Sequence, residues 1–177
     1  MKLENSKTKE NLQTAFLREG GAFCEYTFYA EQSKQDGFEQ IYKIFTQFAE
    51  NEKAHAKIWF KLFHGIASTQ DNLIDSADLE KHERTVMYAG FAKTAREEGF
   101  EDIATLFEQV GEIEGLHEER FRTLYEQVKT DKIFSASQKV EWQCANCGFV
   151  YLGKNPPEKC PVCSHPKAYF AVMPKQN

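Results

Sequence analysis

The chain has 177 residues, of which 41% are hydrophobic and 14% aromatic, and its formal net charge at pH 7 is −5. This length predicts one or two domains with enough apolar residues for a packed core, and the acidic balance argues against a nucleic-acid partner. The sequence contains no run of about 18 apolar residues and begins with polar residues, so we expect a soluble, cytoplasmic protein without a membrane span or secretory signal.

The first two predicted helices each carry acidic residues in an apolar stripe. The first runs from about Thr8 to Asp36, and Glu19 is the acid in its stripe. The second runs from about Phe38 to His64 and contains a Glu-x-x-His tetrad, Glu52 to His55. Positions i and i+3 of a helix project from one face, so this carboxylate and this imidazole can bind one metal ion.

The third predicted helix begins after the polar residues 68–71 and ends at Gly99. Its apolar stripe carries Glu80, and Glu83 follows one turn later as an additional carboxylate without a counterpart in the first helix pair. Arg84 comes directly after Glu83, in a position to compete for that carboxylate.

The fourth predicted helix, from about Phe100 to Lys129, carries a second tetrad at Glu114 and His117. The other members of its stripe are apolar, so we expect the tetrad to be buried. An ionised carboxylate in such surroundings is costly unless it is paired or binds a metal.

The acids and imidazoles recur in register on four helices. Two helices that each give a Glu and two that each give a Glu-x-x-His form the ligand set of di-iron carboxylate bundles. Glu52 follows Glu19 by 33 positions and Glu114 follows Glu80 by 34, which predicts two similar helical hairpins. The alternative is that buried acids pair with Arg or Lys, but such pairs rarely recur in register on four helices.

From residue 140 the pattern changes to short strands, which predicts a second domain. The predicted strands are 140–143, 149–152 and 168–172. Two CxxC pairs lie in this segment, Cys144 with Cys147 and Cys160 with Cys163. Four thiolates suit a tetrahedral zinc or iron ion, and so small a domain rarely folds without a cross-link. Disulfides are the alternative, which a reducing compartment disfavours.

Four segments of the chain resemble rubrerythrins: Ala15–Glu19, Ala49–Lys57, Phe91–Phe100 and Cys160–Pro166. The resemblance covers nearly the whole chain and its domain order. It implies a mainly α fold, with a ferritin-like up-down four-helix bundle over residues 1–135 and a small rubredoxin-like β-ribbon over residues 140–177. Rubrerythrins are non-haem di-iron proteins of organisms that avoid oxygen, and they reduce hydrogen peroxide to water.

The resemblance also implies the cofactors and their ligands. It implies two non-haem irons and one Fe(Cys)₄ iron per chain, with zinc as another occupant of the ribbon in isolated protein. Glu52 and Glu114 would bridge the two irons of the bundle. Glu19 would be a terminal ligand of one iron, and Glu80 and His117 would be terminal ligands of the other.

Two further features follow from the resemblance. Glu83 would bind the first iron when it is oxidised, and His55 would replace Glu83 on reduction. Tyr26 and Tyr88 resemble tyrosines that donate hydrogen bonds to ligand carboxylates, although plain core tyrosines are an equal interpretation. Independently of the resemblance, Cys24, the fifth cysteine, is interpreted as a buried, inert thiol, with a thiol that peroxide oxidises as the alternative.

The resemblance implies an NADH-linked peroxidase whose electrons come from an external rubredoxin or NAD(P)H-linked reductase. It also implies a head-to-tail homodimer in which the ribbon of one chain faces the di-iron site of another. Residues 140–177 carry a net charge of +2 and residues 1–139 carry −7, which favours such docking. The sequence leaves open whether hairpins are exchanged between chains, with residues 65–71 as the place for exchange.

The sequence is also compatible with two other classes of protein. One is a ferritin-like iron oxidase or storage protein in which the ribbon is a zinc-bound structural element. The other is a non-catalytic binding module with a structural zinc site. An appended ribbon makes the closed shell of a storage protein less plausible.

Overall fold

The computed structural model describes residues 3–173, which form a mainly helical protein with a small antiparallel sheet near the carboxyl end. The helices are α1 (Lys7–Gln35), α2 (Glu39–Phe63), α3 (Thr69–His82), a π-helix (Glu83–Tyr88), α4 (Ala89–Glu97) and α5 (Glu101–Lys129). The strands are β1 (Val140–Cys144), β2 (Val150–Gly153) and β3 (Phe170–Val172). The chain divides into two compact units between Ala67 and Ser68.

The predicted helices agree with the structure to within a few residues at their ends. The exception is the third, which was predicted as one uniform helix. It consists of α3, the π-helix and α4 in succession. A π-helix differs from an α-helix in its i→i+5 hydrogen bonds, and one of only six residues is too short to change the apolar periodicity of the sequence visibly.

In the first unit, α1 and α2 pack against each other as a hairpin. The turn uses Gly37, whose φ of 82° is a conformation that residues with a Cβ rarely adopt. The N–H of Phe38 then donates to the carbonyl of Ser33 at 2.9 Å, which closes the end of α1.

In the second unit, α3, the π-helix and α4 all pack on α5. The turn from α4 to α5 repeats the turn of the first hairpin: Gly99 has a φ of 87°, and the N–H of Phe100 donates to the carbonyl of Ala95 at 2.8 Å. The two hairpins are thus built alike, as the spacing of the acids predicted.

Small residues fill the contact between the helices of each hairpin. The buried alanines are Ala22, Ala30, Ala49 and Ala56 in the first hairpin, and Ala77, Ala92, Ala95 and Ala104 in the second. The stripes that were expected to be buried are partly exposed instead, with Phe48 48% and Leu106 58% accessible. A pair of helices covers only one side of each helix, so this part of the prediction was wrong for the hairpin by itself.

The ribbon is a three-stranded antiparallel sheet in the order β2-β1-β3. Its core consists of Trp142, Cys144, Cys160 and Phe170. The indole N–H of Trp142 donates to the carbonyl of Gly153 at 3.0 Å. Two of the four core residues are therefore members of the CxxC pairs.

Among the described residues, no helix is both long enough and apolar enough to cross a membrane.

Candidate metal centres

The first hairpin brings together Glu19, Glu52 and His55, which we call the first half-site. One ligand atom from each lies within 4.8 Å of the others. Nδ1 of His55 is 3.0 Å from Oε2 of Glu52. The hydrogen bond with His55, followed by one with Glu19, lowers the pKa of Glu52. The imidazole is half exposed, whereas the Glu52 side chain is 20% accessible.

The second hairpin brings together Glu80, Glu114 and His117, the second half-site, with the same 4.8 Å limit between ligand atoms. Nδ1 of His117 lies 2.7 Å from Oε2 of Glu114 and 3.8 Å from Oε2 of Glu80. Burial raises the pKa of Glu80, and the hydrogen bond and negative charge of Glu114 raise it further. Two carboxylates are thus held close together.

This donor chemistry fits iron in both half-sites. Carboxylate oxygen and imidazole nitrogen are ligands of non-haem iron. In the second half-site, the charge of one carboxylate disfavours ionisation of the other, as expected for adjacent carboxylates without a metal between them. A cation between Glu80 and Glu114 would remove the repulsion that raises the pKa of Glu80.

The π-helix lies where the second hairpin is one residue longer than the first. Glu52 and Glu114 both lie 15 positions after the turn glycines Gly37 and Gly99. Glu19 lies 18 positions before its turn glycine, whereas Glu80 lies 19 positions before. An i→i+5 turn accommodates one extra residue, so the π-helix keeps Glu80 in register with Glu114.

Glu83 is the first residue of the π-helix and Tyr88 is the last. Burial, followed by the charges of Glu114, Glu83 and Glu80, raises the pKa of Tyr88, so its phenol stays protonated beside these acids. The charge of Glu83 also contributes to the raised pKa of Glu80. The oxygens of Glu83 are nevertheless not among the clustered ligand atoms of the described residues. The exchange of Glu83 with His55 stays a prediction.

Arg84 does not pair with Glu83 as the sequence suggested. Its Nη2 lies 2.9 Å from Oε2 of Glu118, and Nε of Arg122 lies 2.9 Å from Oε1 of the same carboxylate. The hydrogen bonds from Arg84 and then Arg122 lower the pKa of Glu118. This ion pair was not predicted from the sequence. Gly115 is the residue that could have indicated it, because a Cβ there would lie 2.9 Å from Cδ of Arg84.

Tyr26 and Cys24 both lie on α1. Tyr26 is partly buried, and its ring packs 6.0 Å from the ring of Phe45. Its role as a hydrogen-bond donor to a ligand carboxylate stays a prediction. Cys24 is exposed, so the expectation of a buried thiol was wrong. It lies on a face of α1 that α2 does not cover.

The ribbon gathers the four sulfur atoms of Cys144, Cys147, Cys160 and Cys163 within 4.8 Å of one another. The pair Cys144 and Cys163 is 3.7 Å apart, and the pair Cys147 and Cys160 is 3.6 Å apart. A tetrahedron with metal–sulfur bonds of about 2.3 Å has edges of about 3.8 Å, so these positions fit one metal ion. All four are free thiols, which contradicts the disulfide alternative.

Two similarly built turns hold the cysteines. In the first, the N–H of Gly148 donates to the carbonyl of Cys144 at 2.8 Å; in the second, the N–H of Ser164 donates to that of Cys160 at 2.9 Å. Gly148 and Ser164 both have positive φ, 77° and 61°. This shared conformation directs the following backbone N–H groups towards sulfur.

The thiols differ in acidity before a metal binds. The N–H of His165 donates to the sulfur of Cys163 and, together with neighbouring groups, lowers the pKa of Cys163 to about 6. The N–H of Phe149 acts in the same direction on Cys147, but burial and the neighbouring thiols outweigh it and raise its pKa to about 12. Such N–H···S bonds are among the factors that set the potential of an iron–thiolate centre.

Comparison with known families agrees with both sites. The family model "Rubrerythrin" matches residues 10–125, and the model "Rubrerythrin, rubredoxin-like domain" matches residues 142–171. The chain belongs to the rubrerythrin family. It is 42% identical to a rubrerythrin of Nitratidesulfovibrio vulgaris, with 97% of this chain and 96% of that protein covered. It is 40% identical to a rubrerythrin of Porphyromonas gingivalis, with 97% and 92% covered.

Nigerythrin of Nitratidesulfovibrio vulgaris is 30% identical, with 93% of this chain and 86% of that protein covered. A solved structure titled "Partially Reduced State of Nigerythrin" is 29% identical, covers 97% of this chain and 91% of that chain, and has a TM-score of 0.38. As a rubrerythrin-family protein, this chain carries the residues of a di-iron carboxylate centre and of a rubredoxin-like Fe(Cys)₄ site.

Proposed function

We propose that this protein is a peroxidase that reduces hydrogen peroxide to water at its di-iron centre. Electrons would enter through the Fe(Cys)₄ site of the ribbon. The observation that carries the proposal is the repeated half-site: each hairpin holds two carboxylates and one imidazole within 4.8 Å, in a chain that also holds four clustered thiols. The activity would protect an anaerobic or microaerophilic cell from oxidative stress.

The carboxylates would hold the two irons close together. Glu52 and Glu114 would bridge them, with Glu19 terminal on one iron and Glu80 and His117 terminal on the other. When bound, a ferrous pair supplies two electrons at one place, so peroxide can be reduced without release of a one-electron product. The anionic ligands offset the charge of the metals in both oxidation states.

Glu83 and His55 would adapt one iron site to its oxidation state. An anionic carboxylate favours the ferric ion, and a neutral imidazole favours the ferrous ion. Glu83 begins the π-helix, a type of turn that often occurs at functional sites. His55 is half exposed in its hairpin, and a hydrogen-bond contact, 3.0 Å from its Nδ1 to Oε2 of Glu52, would have to open for the ring to turn. The phenol of Tyr88 stays protonated and would donate a hydrogen bond to a neighbouring carboxylate.

The ribbon would supply electrons one at a time. Four thiolates hold iron with little change of geometry between oxidation states, which suits electron transfer. An external rubredoxin or an NAD(P)H-linked reductase would reduce the ribbon iron. A head-to-tail homodimer would bring the ribbon of one copy to the di-iron centre of another, and the opposite charges of residues 140–177 and 1–139 support that docking.

The proposal is tested by mixing the anaerobic, fully ferrous protein with one equivalent of hydrogen peroxide in a stopped-flow spectrometer. We expect rapid appearance of the ferric di-iron absorption, much faster than with dioxygen. A faster reaction with dioxygen than with peroxide would identify an iron oxidase instead.

The ribbon's role is tested with Cys160→Ser. This variant should still be oxidised by peroxide, because its di-iron ligands are unchanged, but turnover with NADH and a reductase should fall at least tenfold. The matched control is Cys24→Ser, which removes the thiol outside the ribbon and should keep full turnover. Unchanged turnover in Cys160→Ser would exclude the ribbon as the electron path.

A further inference from the structure

The π-helix packs on two glycines of α5. A Cβ at Gly111 would lie 3.4 Å from Cβ of Tyr88 and 4.0 Å from the carbonyl oxygen of Arg84. A Cβ at Gly115 would lie 2.9 Å from Cδ of Arg84. The two glycines are one turn apart, so they lie on the same face of α5. The π-helix can therefore approach α5 closely at this face, and Arg84 lies against both glycines.

An ion pair attaches the π-helix to α5 at this contact. Nη2 of Arg84 lies 2.9 Å from Oε2 of Glu118, which is 34 positions away in the chain. The Glu118 side chain is only 12% accessible, whereas that of Arg84 is 44% accessible. A carboxylate with so little exposure is destabilised when a charged partner is removed. The contact between Arg84 and Glu118 therefore holds the π-helix on α5.

The second arginine that binds Glu118 connects different parts of the chain. Nε of Arg122 lies 2.9 Å from Oε1 of Glu118, but both residues belong to α5. Nη2 of Arg122 also lies 2.9 Å from Oδ1 of Asp78, which belongs to α3. Of the two arginines on this carboxylate, Arg84 is the one that lies in the π-helix.

The location of the π-helix determines the direction of Glu83. An α-helix turns by about 100° per residue, so an extra residue placed before Glu83 instead of after it would rotate this side chain by about that angle relative to Glu80. Because π-helices are rare compared with α-helices, tertiary contacts must favour this one at its present place. Glu83 is its first residue and directly precedes Arg84, so the ion pair acts on the segment that carries Glu83.

We infer that Arg84 is a positioning residue for Glu83. Its ion pair with Glu118 fixes the place of the π-helix on α5, and thereby fixes the direction in which the Glu83 carboxylate projects. Arg84 acts through the backbone and not by contact with iron or peroxide. This inference rests on the proposed role of Glu83 as an iron ligand but not on the identity of the substrate.

The first test measures hydrogen–deuterium exchange of the iron-loaded, full-length protein by mass spectrometry. In Arg84→Ala, the amides of residues 83–88 should exchange faster by about tenfold or more, because the π-helix loses its attachment to α5. The matched control is Arg122→Ala, which removes the other ion pair of Glu118 and should leave the exchange of these amides unchanged. Equal exchange of residues 83–88 in the two variants would overturn the inference.

The second test measures the ferric-to-ferrous ratio of the di-iron centre at fixed applied potentials. Mössbauer spectroscopy resolves this centre from the ribbon iron. An anionic ligand favours the ferric ion, so Glu83→Gln and Arg84→Ala should both lower the ratio, by roughly threefold or more. Arg84→Lys should lower it less, because Lys keeps the charge. Loss of a nearby positive charge by itself would raise the ratio, so the direction of the change separates positioning from electrostatics.

A double variant, Glu83→Gln with Arg84→Ala, shows whether Arg84 acts through Glu83. If it does, the ratio in the double variant should equal the ratio in Glu83→Gln. A further change in the double variant, or an unchanged ratio in either single variant, would overturn the inference. If Arg84→Ala does not fold, Arg84→Gln, which keeps part of the aliphatic chain, replaces it in every comparison. Neither test uses peroxide, so a lack of peroxidase activity would reject the proposed function and leave the positioning role intact.

Discussion

Gly115 leaves the space that the Arg84 side chain occupies beside the second half-site. A Cβ at this position would lie 2.9 Å from Cδ and 3.3 Å from Nε of Arg84. The space allows Arg84 to cross from the π-helix to Glu118 on α5. The absence of a side chain at one position therefore permits an ion pair beside Glu114 and His117, the predicted metal ligands of α5.

We expect Gly115→Ala to destabilise the protein by about 1–2 kcal/mol, because the added methyl group displaces Arg84 and outweighs the gain in helix propensity. The control is Gly20→Ala in α1, where a Cβ meets nothing within 4 Å. It should stabilise the protein by up to about 1 kcal/mol. Thermal unfolding of both variants measures the difference, and equal stabilisation would show that Arg84 moves without cost.

Ser164 has a positive φ, and the equivalent residue in the other cysteine turn is a glycine, Gly148. A residue with a Cβ pays roughly 1 kcal/mol or more for this conformation. Ser164→Gly should therefore slow the loss of ribbon iron on heating, by a stabilisation of about 1 kcal/mol. Gly148→Ala should speed the loss of ribbon iron. An added Cβ there would meet no atom within 4 Å, so the destabilisation would come from the positive φ alone. For both variants, the loss of ribbon iron is measured as the decrease of the visible iron–thiolate bands on heating. Faster loss in Ser164→Gly than in the unsubstituted protein would show that the positive φ of Ser164 does not destabilise the ribbon.

At the scale of elements, the π-helix reconciles two hairpins of unequal length. The turns at Gly37 and Gly99 are alike, and the tetrads lie at equal distances after them. The extra residue before the second turn is absorbed between Glu83 and Tyr88. The π-helix also contains Glu83, a carboxylate that has no counterpart in the first hairpin. Length adjustment and the additional carboxylate are thus one structural feature.

Helices α4 and α5 are joined near their turn by Arg96. Its Nη1 and Nη2 bind the two oxygens of Glu108 at 2.8 and 3.1 Å, and its Nε binds Glu101 at 2.8 Å. The hydrogen bonds from Arg96 lower the pKa of Glu108. A carboxyl group whose pKa is lower in the folded than in the unfolded state stabilises the fold at pH values above its unfolded-state pKa. This contribution disappears as the pH falls through the folded-state pKa.

We expect the Glu108 carboxyl, observed by NMR, to titrate below the ordinary Glu value of about 4.3. Arg96→Ala should raise the midpoint towards that value, and Arg96→Lys should raise it less, because Lys keeps the charge but not the two-pronged geometry. An unchanged midpoint in Arg96→Ala would show that the ion pair does not form in solution.

At the scale of the whole molecule, the helices and the ribbon depend on metal to different degrees. The helical hairpins have backbone hydrogen bonds and aromatic contacts of their own, such as Phe16 with Phe60 at 5.2 Å. The ribbon core has four residues, and Cys144 and Cys160 are two of them. So small a core cannot offset the chain entropy of the ribbon without its metal.

Removal of all iron should therefore unfold the ribbon and leave the helix content of the hairpins largely intact. Far-UV circular dichroism reports the helices. In a Trp59→Phe background, the emission of Trp142 reports the ribbon and should shift to longer wavelength. Zinc should restore the emission without the visible bands. If Trp142 stays buried in iron-free protein, the ribbon fold does not depend on metal.

The sequence by itself determined the two-hairpin plan and the acids, imidazoles and thiols that cluster in the hairpins and in the ribbon. The reason is that these features are local: an i, i+3 pair lies on one helix face, and a CxxC turn brings its sulfurs together, whatever the surroundings. Their individual roles as metal ligands stay predictions. The difference between 33 and 34 positions was also visible, but its structural meaning was not. Periodicity does not distinguish an i→i+5 turn from an i→i+4 turn.

Only the tertiary structure decided the partner of Arg84, the exposure of Cys24 and the extent to which each apolar stripe is covered. These depend on contacts between distant residues, and the same side chains can satisfy more than one such arrangement. Arg84 had Glu83 beside it in the chain, yet Glu118, 34 positions away, lies 2.9 Å from it. The stripes on α2 and α5 predicted burial, but Phe48 and Leu106 are about half exposed, because the second helix of a hairpin covers only one side of the first.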